Sequence, residues 1–344
     1  MEKGHYTRQE IQSQPEAWCA ALTTLDENRR AALELQPQRN TSQVIFTGCG
    51  STYYLAMAAA ALTQKLTGCA CQAFPASELW LYPGSCYRAS SDQRTLLVAI
   101  SRSGETSETL HACQAFLDEK RGEVLTLSCY GEMPLARMGT VNIVLPSGQE
   151  QSVAQTRAFS TLYLATTAIA TTWAGRPDLS EALKRLPEAG RRLMDSHAPL
   201  AADLGGDAQI DRFYWLGSGP RYGLACELSL KMKEMSLSHS EPFHFLEFRH
   251  GPKSMITPDS LVIGLRSSAN KLPERAVLED MVKLGGRILE VGEDGNQVRF
   301  GSSLDEAIHN VLYLPIGQMI AFERALSKGL NPDRPTNLDS VVKL

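Results

Sequence analysis

The sequence predicts an α/β protein made of two tandem homologous domains, each a parallel sheet flanked by helices. The chain has 344 residues, 43% of them hydrophobic, which suffices for two domains that each bury a core. Short apolar runs alternate with helical stretches, the pattern of parallel α/β layers. Residues 45–50 match residues 214–219 at an offset of 169, and residues 97–103 match residues 261–267 at an offset of 164. Two similar offsets in the same order indicate a duplicated domain.

The elements of the first half follow one another in the order that such a domain requires. A capping-box pattern from Thr7 to Glu10 predicts a leading helix, whose regularity Pro15 limits. Apolar runs predict the strands, and the stretches between them have helical composition. The predicted strands span 44–46, 96–100, 124–127 and 141–145, and the predicted helices span 51–67, 105–120 and about 156–193, with a break near Gly175.

The second half starts the same order again. Its predicted strands span 213–216, 261–265 and 288–291, with one helix from Arg221 to about Leu237 and another near 274–283. Alanine, aspartate and glycine cluster between about 196 and 211, where we expect the two domains to join, and Pro332 marks a tail that leaves the last helix. The predicted bounds are leading helices at 1–40, a first domain at 41–196, a second domain at 211–330 and a tail at 331–344.

Charge and apolar patterning exclude several classes of protein. Thirty-four basic residues stand against 38 acidic ones, a formal net charge of −4, so we expect no nucleic-acid partner. The N-terminus has no apolar signal-peptide stretch, and residues 158–175 are short for a bilayer span and rich in serine and threonine, so we expect no membrane partner. The eight cysteines are scattered without zinc-finger spacing, which predicts reduced thiols in a cytoplasmic protein.

Two turns that follow strands in the first half carry groups suited to a phosphate. Residues 48–52 (Gly-Cys-Gly-Ser-Thr) would also fit an ordinary strand-to-helix turn with a capping hydroxyl. Residues 101–106 (Ser-Arg-Ser-Gly-Glu-Thr) are better evidence, because hydroxyls, a glycine and a basic side chain meet at the positive end of a helix. The alternative there is an exposed cap. The candidate ligands are Gly50, Ser51, Thr52, Ser101, Arg102, Ser103 and Thr106.

The helix after Arg221 carries a charged seam. Glu227, Lys231 and Glu234 fall at i, i+4 and i+7 and are bordered by apolar residues on both sides. A solvated salt bridge normally has polar neighbours, so the pattern favours a partly buried array suited to proton transfer. His250, in an Arg-His-Gly-Pro loop, is the second candidate, because an imidazole can open a hemiacetal near neutral pH. We found no metal-binding or serine-nucleophile signature and expect neither metal nor cofactor.

Together these residues resemble the double sugar-isomerase (SIS) domain family. The resemblance is strongest to the isomerase half of glucosamine-6-phosphate synthase and to its stand-alone deaminase and deglycase relatives. The loop Phe-Arg-His-Gly-Pro-Lys-Ser at 248–254 is especially similar to the galactosamine-6-phosphate deaminase/isomerase branch. The family's fold implies a flavodoxin-like sheet in each domain. The motifs that carry the resemblance lie at 48–52, 101–109, 152–159, 227–234, 247–254, 314–316 and 328–338.

The resemblance implies a role for each candidate residue. The two loops of the first half would bind the phosphate of a small-molecule sugar phosphate, and Val153 and Gln155 would line the sugar. Glu234 would move a proton between C1 and C2, with Lys231 and Glu227 assisting or holding the open chain. His250 would open the ring from the neighbouring subunit, which implies a homodimer or a higher homo-oligomer.

Departures from the synthase pattern bear on the reaction. Arg102 stands where the synthase has glutamine, and Gln155 replaces a serine. No glutaminase domain is recognised before residue 40, and Ser340 stands where the synthase has a lysine, with Lys343 three residues on. Arg102 and Gln155 bear on which sugar is bound. The absence of a glutaminase domain and of that lysine favours breaking a C–N bond over making one. We therefore expect an aminosugar-6-phosphate deaminase/isomerase, with a deglycase of amino-acid-modified sugar phosphates as the alternative and a non-catalytic phosphosugar sensor as the third possibility.

Overall fold

The computed structural model describes residues 2–37, 41–87 and 94–344, without the side chains of residues 41 and 42. The N-terminal residue of the sequence and the predicted domain boundary at residue 40 lie outside the described residues. All eight cysteines carry unpaired thiols. In the described ranges, no helix is both long enough and apolar enough to cross a membrane.

The first half of the chain forms a five-stranded parallel sheet. Its strands are β1 (Thr41–Gly48), β2 (Cys71–Pro75), β3 (Arg94–Ser101), β4 (Gly122–Ser128) and β5 (Val141–Val144), in the order β2-β1-β3-β4-β5. Helices cover this sheet, and the central strand β3 is buried from Thr95 onward, as expected for a sheet with both faces packed. The helices of the first half of the chain are α1 (His5–Gln12), α2 (Gln14–Glu27), α3 (Arg29–Glu34), α4 (Ser51–Thr67), α5 (Ala76–Leu81), α6 (Pro83–Cys86), α7 (Ser107–Asp118), α8 (Arg157–Trp173) and α9 (Pro177–Ala182).

The second half forms another five-stranded parallel sheet. Its strands are β6 (Arg212–Leu216), β7 (His239–Phe243), β8 (Ser260–Leu265), β9 (Arg287–Gly292) and β10 (Val298–Arg299), in the order β10-β9-β8-β6-β7. The helices of this half are α10 (Leu186–Gly206), α11 (Pro220–Ser236), α12 (Lys271–Lys283), α13 (Glu306–His309) and α14 (Tyr313–Ser327). Single 3₁₀ turns lie at Pro134–Arg137, Pro146–Gly148, Leu183–Arg185, Glu247–Arg249, Pro252–Met255 and Asn310–Leu312.

The two sheets have the same topology. Numbered from its own first strand, each follows the order 2-1-3-4-5, which is the flavodoxin-like order. The prediction of two tandem α/β domains with parallel sheets is therefore confirmed. All strands are parallel, but the order in which they are added to the sheet reverses between the first and third strands. The carboxyl ends of those two strands form the crevice where such sheets bind ligands.

Several predicted elements differ from the structure in their ends. The helix predicted at 105–120 spans Ser107–Asp118, and the one predicted near 274–283 starts earlier, at Lys271. The long helical region breaks at Gly175, as predicted, but α10 then continues to Gly206 although Pro199 lies inside it. The expected joint at 196–211 thus falls largely within a helix, and the predicted domain bounds stay a prediction.

The capping-box prediction at the N-terminus is wrong. Gly4, not Thr7, precedes the first helical residue, and Thr7 lies inside α1. The backbone N–H and the hydroxyl of Thr7 both donate to Oδ1 of Asp333 at 2.8 Å. Glu10 accepts hydrogen bonds from the backbone N–H groups of Gln151 and Ser152. Both side chains therefore bind distant segments instead of capping their own helix.

The chain divides into two compact units. The first-sheet unit contains residues 16–150, 157–184 and 339–344, and the second-sheet unit contains residues 1–15, 151–156 and 185–338. Each unit has its own core: Ile45, Leu97, Phe116, Val124 and Leu135 are buried in the first, and Tyr214, Leu216, Phe248, Val262 and Met281 in the second.

His309 makes the second-sheet unit sensitive to acid. The side chain is completely buried, and burial lowers its pKa below the ordinary value of 6.5, although Glu293 opposes the shift. The unfolded chain therefore binds this proton more readily than the folded chain. The stability contributed by neutral His309 is present above pH 6.5 and is lost as the pH falls toward the lowered folded pKa.

We expect His309→Gln to flatten this part of the pH profile. Tm measured from pH 8 to pH 5 should fall less steeply for the variant than for the wild type, because one proton-linked term has been removed. His239→Gln, which changes an exposed imidazole, should keep the wild-type slope. Parallel profiles for wild type and His309→Gln would contradict the expectation.

Candidate functional site

The loop between β3 and α7 gathers three hydroxyl groups at the start of the helix. Oγ of Ser101 lies 3.5 Å from Oγ of Ser103 and 3.3 Å from Oγ1 of Thr106, and the last two atoms are 3.4 Å apart. Gly104 turns the chain at φ 72°, and a Cβ there would lie 3.0 Å from Cβ of Met133, so the turn requires glycine. Three hydroxyls at the positive end of a 12-residue helix form a cluster suited to an anion.

The turn between β1 and α4 lies next to this loop, because β1 and β3 are paired. A Cβ at Gly48 would lie 2.5 Å from Oγ1 of Thr52, and Gly50 has φ 53°, so both glycines are needed for the turn. The hydroxyl of Thr52 accepts from the N–H of Cys49 at 2.9 Å and donates to its carbonyl at 3.0 Å. Thr52 thus closes the turn. That Thr52 and buried Ser51 contact a phosphate stays a prediction.

Arg102 makes contacts within its own unit that the sequence did not predict. Its guanidinium donates to Oε2 of Glu150 at 3.2 Å and to the carbonyl of Ser340 at 3.1 Å. The Glu150 side chain is completely buried, and that of Arg102 is 8% exposed. Arg102 therefore anchors the β3–α7 loop to the segment after β5 and to residues 339–344, and its contact with a ligand stays a prediction.

The C-terminal residues 339–344 lie beside the start of α7. The N–H of Leu344 donates to Oγ of Ser107 at 3.0 Å, and Nζ of Lys343 lies 2.8 Å from Oε2 of Glu105. The Glu105–Lys343 pair is partly exposed, so it contributes little stability. This pair nevertheless places the side chain of Lys343 at the edge of the β3–α7 loop.

In the second-sheet unit, α11 brings Glu227, Lys231 and Glu234 together. Nζ of Lys231 lies 3.5 Å from Oε1 of Glu227 and forms a short hydrogen bond with Oε2 of Glu234. Glu227 and Lys231 are completely buried, whereas the Glu234 side chain is 18% exposed. The array is therefore a buried carboxylate–ammonium pair with a second carboxylate at its accessible end. A carboxylate held in this way by an ammonium group can accept and return a proton.

Close packing holds α11 in place. A Cβ at Gly317 would lie 2.6 Å from Cδ2 of Leu228, so glycine allows α14 to approach α11 closely. On the sheet side, the indole of Trp215 donates to Oγ of Ser240, which donates to Oγ of Ser229. These buried contacts fix the helix that carries the charged array.

The loop that carries His250 lies between two short 3₁₀ turns. Phe248 is completely buried and anchors it, and Arg249 pairs with Oδ2 of Asp280 at 2.6 Å. Gly251 adopts φ 125°, a conformation that requires glycine, and Pro252 starts the next turn. The loop leaves the side chain of His250 exposed in the single chain, and its role across a subunit interface stays a prediction.

Residues 151–156 form a short segment of the second-sheet unit that carries Val153 and Gln155. Buried Glu10 binds this segment through the N–H groups of residues 151 and 152 and through a short hydrogen bond from the Ser152 hydroxyl. The N–H of Val153 donates to the carbonyl of Asp333 at 3.0 Å. Oε1 of Gln155 is shielded from solvent and has no hydrogen-bond donor among the described residues, and its contact with a sugar stays a prediction.

The structure thus places the predicted residues in two sets. The first-sheet unit contains Gly50, Ser51, Thr52, Ser101, Arg102, Ser103 and Thr106, and the second-sheet unit contains Val153, Gln155, Glu227, Lys231, Glu234 and His250. Sequence reasoning missed Glu150 and assigned Glu10 to a capping box instead of to residues 151–152. The partners of these two carboxylates are 48 and 141 residues away, and nothing in the local pattern indicates the contacts.

A comparison with protein-family models matches the SIS domain to residues 39–172 and 208–317. The chain belongs to the SIS domain family. Each match covers one of the two flavodoxin-like sheets, which confirms the resemblance predicted from the motifs. The protein is therefore a double-SIS chain with the fold of SIS phosphosugar isomerases.

Curated relatives of this SIS chain include glutamine–fructose-6-phosphate aminotransferases (isomerizing). The sequence is 25% identical over 359 residues to the protein from Methanothermobacter thermautotrophicus, covering 99% of this chain and 58% of that protein. It is 31% identical over 321 residues to the protein from Pseudomonas putida, covering 87% and 51%. The chain thus spans little more than half the length of these relatives.

Solved SIS structures match nearly the whole chain. A glucosamine-6-phosphate deaminase from Thermotoga maritima is 27% identical with a TM-score of 0.81, and the match covers 98% of this chain and 99% of that one. The Escherichia coli structure described as a tagatose-6-phosphate ketose/aldose isomerase has a TM-score of 0.84 at 22% identity, with 96% and 95% covered, and supports the fold alone.

Proposed function

We propose that this SIS protein is an aminosugar-6-phosphate deaminase/isomerase, which converts a 2-amino-2-deoxyhexose 6-phosphate into a ketose 6-phosphate and ammonia. The observation that carries the proposal is the array on α11, in which partly exposed Glu234 is hydrogen-bonded to completely buried Lys231. A binding protein has no need of a buried ammonium beside an accessible carboxylate. Aldose–ketose isomerisation needs one group that can remove and return a proton.

The proposed reaction balances without an external oxidant or reductant. His250 opens the pyranose, and Glu234 removes the proton on C2 to give an enolamine. Reprotonation at C1 produces an imine at C2, so that C1 is reduced while C2 is oxidised within the same molecule. Water then adds to C2, the C–N bond breaks, and ammonia leaves with the bonding electron pair and the required protons. Lys231 holds Glu234 in position through their hydrogen bond.

Substrate binding in this proposal uses the groups described above. The hydroxyls of Ser101, Ser103 and Thr106 bind the phosphate, supported by the α7 dipole. Gln155 lines the sugar, and its Oε1, which has no hydrogen-bond donor among the described residues, is the acceptor for a hydroxyl or amino group. The similarity to a glucosamine-6-phosphate deaminase over 98% of the chain supports this substrate class. The eight unpaired thiols support a cytoplasmic location.

The proposal is tested by product release from four substrates. Glucosamine 6-phosphate, galactosamine 6-phosphate, and fructoselysine- and glucoselysine-type 6-phosphates are incubated with the protein, and ammonia and free amino acid are assayed in parallel. Ammonia from an aminosugar phosphate is the expected result. Free amino acid from a glycated substrate would instead identify a deglycase. Phosphosugar binding without any product would identify a sensor and overturn the proposal.

Removing one hydroxyl of the loop should weaken phosphate recognition. We expect Ser103→Ala to raise KM for the phosphosugar by about tenfold, with kcat changed much less, since one hydrogen bond to a charged group contributes roughly 1.5 kcal/mol. Ser107→Ala is the matched control, because its hydroxyl accepts from the N–H of Leu344 and lies outside the cluster. Equal KM values for the two variants would contradict the assignment.

Mixing inactive variants tests whether His250 acts across a subunit interface. We expect His250→Gln and Glu234→Gln to be inactive separately. When the two variants are unfolded and refolded together, random assembly places half the chains in mixed dimers. Each mixed dimer has one complete site of two, so about a quarter of the wild-type activity should return. If His250 acts within its own chain, neither site of a mixed dimer is complete. Failure to recover any activity would therefore place His250 in the site of its own chain.

A further inference from the structure

The second SIS domain repeats the β1–α4 and β3–α7 turns, which carry the proposed phosphate ligands in the first domain. Gly217 and Gly219 occupy the positions of Gly48 and Gly50, and the two helix-starting glycines share nearly the same conformation, φ 53° ψ −120° at Gly50 and φ 59° ψ −135° at Gly219. At the offset of 169, Arg221 takes the place of Thr52. The second domain therefore keeps the backbone of this turn but replaces its hydroxyl with a guanidinium.

The loop after β8 likewise repeats the loop after β3. At the offset of 164, Ser267 corresponds to Ser103. Each serine makes the same local contact: Oγ of Ser103 accepts from the N–H of Glu105 at 3.3 Å, and Oγ of Ser267 accepts from the N–H of Ala269 at 3.1 Å. The hydroxyl at the mouth of the loop is thus conserved in position between the two domains.

In the second domain a carboxylate of the chain itself occupies this loop. Oε1 of Glu306 accepts from Oγ of Ser267 at 2.7 Å and pairs with the guanidinium of Arg221, and Oε2 accepts from the N–H of Ala269 at 3.2 Å. A serine hydroxyl, a backbone N–H before a helix and an arginine are the donors that phosphate-binding sites use. The side chains of Glu306 and Arg221 are 14% and 4% exposed, so the carboxylate is largely enclosed.

A second carboxylate completes the arrangement. Glu274, in the first turn of α12, accepts from the N–H of Ser267 at 2.6 Å and lies 3.5 Å from the guanidinium of Arg221. Arg221 is in the first turn of α11, so the two acids hold the start of that helix against the loop. The positive groups of this loop are therefore neutralised by the chain's own carboxylates.

We propose that Glu306 is an internal anion that takes the place of a phosphate in the second SIS domain, so that this loop set binds no phosphosugar while Glu306 is present. The comparison with a phosphate site rests on the proposed function of the first-domain loops. The proposal assigns one phosphosugar site to each chain. It also means that the start of α11 is fixed without any ligand, and that the second loop set is a latent site for small anions.

The test is a calorimetric titration with inorganic phosphate. We expect no more than one phosphate per chain in the wild type and one more in Glu306→Ala, whose shorter side chain frees the donors. Ser103→Ala combined with Glu306→Ala isolates the new site by weakening the first one. Glu306→Gln should bind no additional phosphate, since its amide still fills the space. Two phosphates in the wild type, or no additional phosphate in Glu306→Ala, would overturn the proposal.

A stability measurement covers the case in which Glu306→Ala is poorly folded. We expect acetate, which replaces the missing carboxylate, to raise the Tm of Glu306→Ala in a saturable way, whereas neutral acetamide of similar size should not. The wild type should not respond to acetate in this way. An equal effect of acetate and acetamide on the variant would contradict the role of the anion. None of these readouts depends on turnover, so they fail separately from the proposed reaction.

Discussion

Replacing Glu234 by glutamine is expected to lower kcat by ~10²–10⁴-fold, the range that general acid–base groups contribute. The amide has nearly the same shape as the carboxylate but cannot take up a proton. Phosphosugar binding should persist, because the predicted phosphate ligands lie in the other unit. Turnover and equilibrium binding of the same substrate are measured side by side, with ammonia release as the assay.

Glu279→Gln is the matched control for this variant. It makes the same chemical change at an exposed position on α12, where Glu279 pairs only with the exposed side chain of Arg275 within the described residues. Its kcat should equal that of the wild type. Undiminished turnover by Glu234→Gln would remove this residue from the mechanism, and loss of both turnover and binding in this variant alone would indicate a folding defect.

The largest effect on stability is expected from Lys231→Met. This change removes the ammonium from the interior but leaves the Glu227 carboxylate completely buried, at a site where the two groups are 3.5 Å apart. Breaking a buried ion pair by removing one partner costs about 3–5 kcal/mol, because the remaining charge is uncompensated. Urea unfolding monitored by circular dichroism should show this loss in the free energy of unfolding.

A double variant separates charge from packing. Glu227→Gln combined with Lys231→Met contains no buried charge at this pair, so its free energy of unfolding should lie well above that of Lys231→Met alone. It should remain catalytically impaired, since Glu234 has lost its ammonium partner. If the double variant is as unstable as the sum of the two single variants, the loss arises from packing and the two charges are not coupled.

The central strands of both sheets and the edge strand β5 could be predicted from the sequence, whereas the other three edge strands could not. β3 and β8 are continuous apolar runs because both faces are covered. The unpredicted strands β2, β7 and β10 all lie at sheet edges. Pro75 ends β2, and Pro242 lies inside β7, a residue that edge strands tolerate but that weakens any strand prediction. The two-residue strand β10 is too short to show alternation.

The candidate site shows the same division between local and distant information. The three hydroxyls of the β3–α7 loop lie close to one another in sequence, and turn chemistry predicted that they would meet. The three charges of α11 are likewise close to one another, and helical spacing predicted that they would share one face of the helix. The contacts of Arg102 with Glu150, and of Glu10 with residues 151–152, join segments 48 and 141 residues apart. Their partners are set by the path of the folded chain, which periodicity in a single sequence does not encode.

The division of the chain into segments also determines how the protein can be assembled. The chain passes from one unit to the other after residues 15, 150, 156, 184 and 338. No single cut therefore yields two complete units, and a fragment expressed as either half would lack segments of its own unit. The first-sheet unit includes residues 339–344, which are synthesised long after its sheet. Although that sheet ends near residue 144, this unit reaches its final form only after residues 339–344 have left the ribosome.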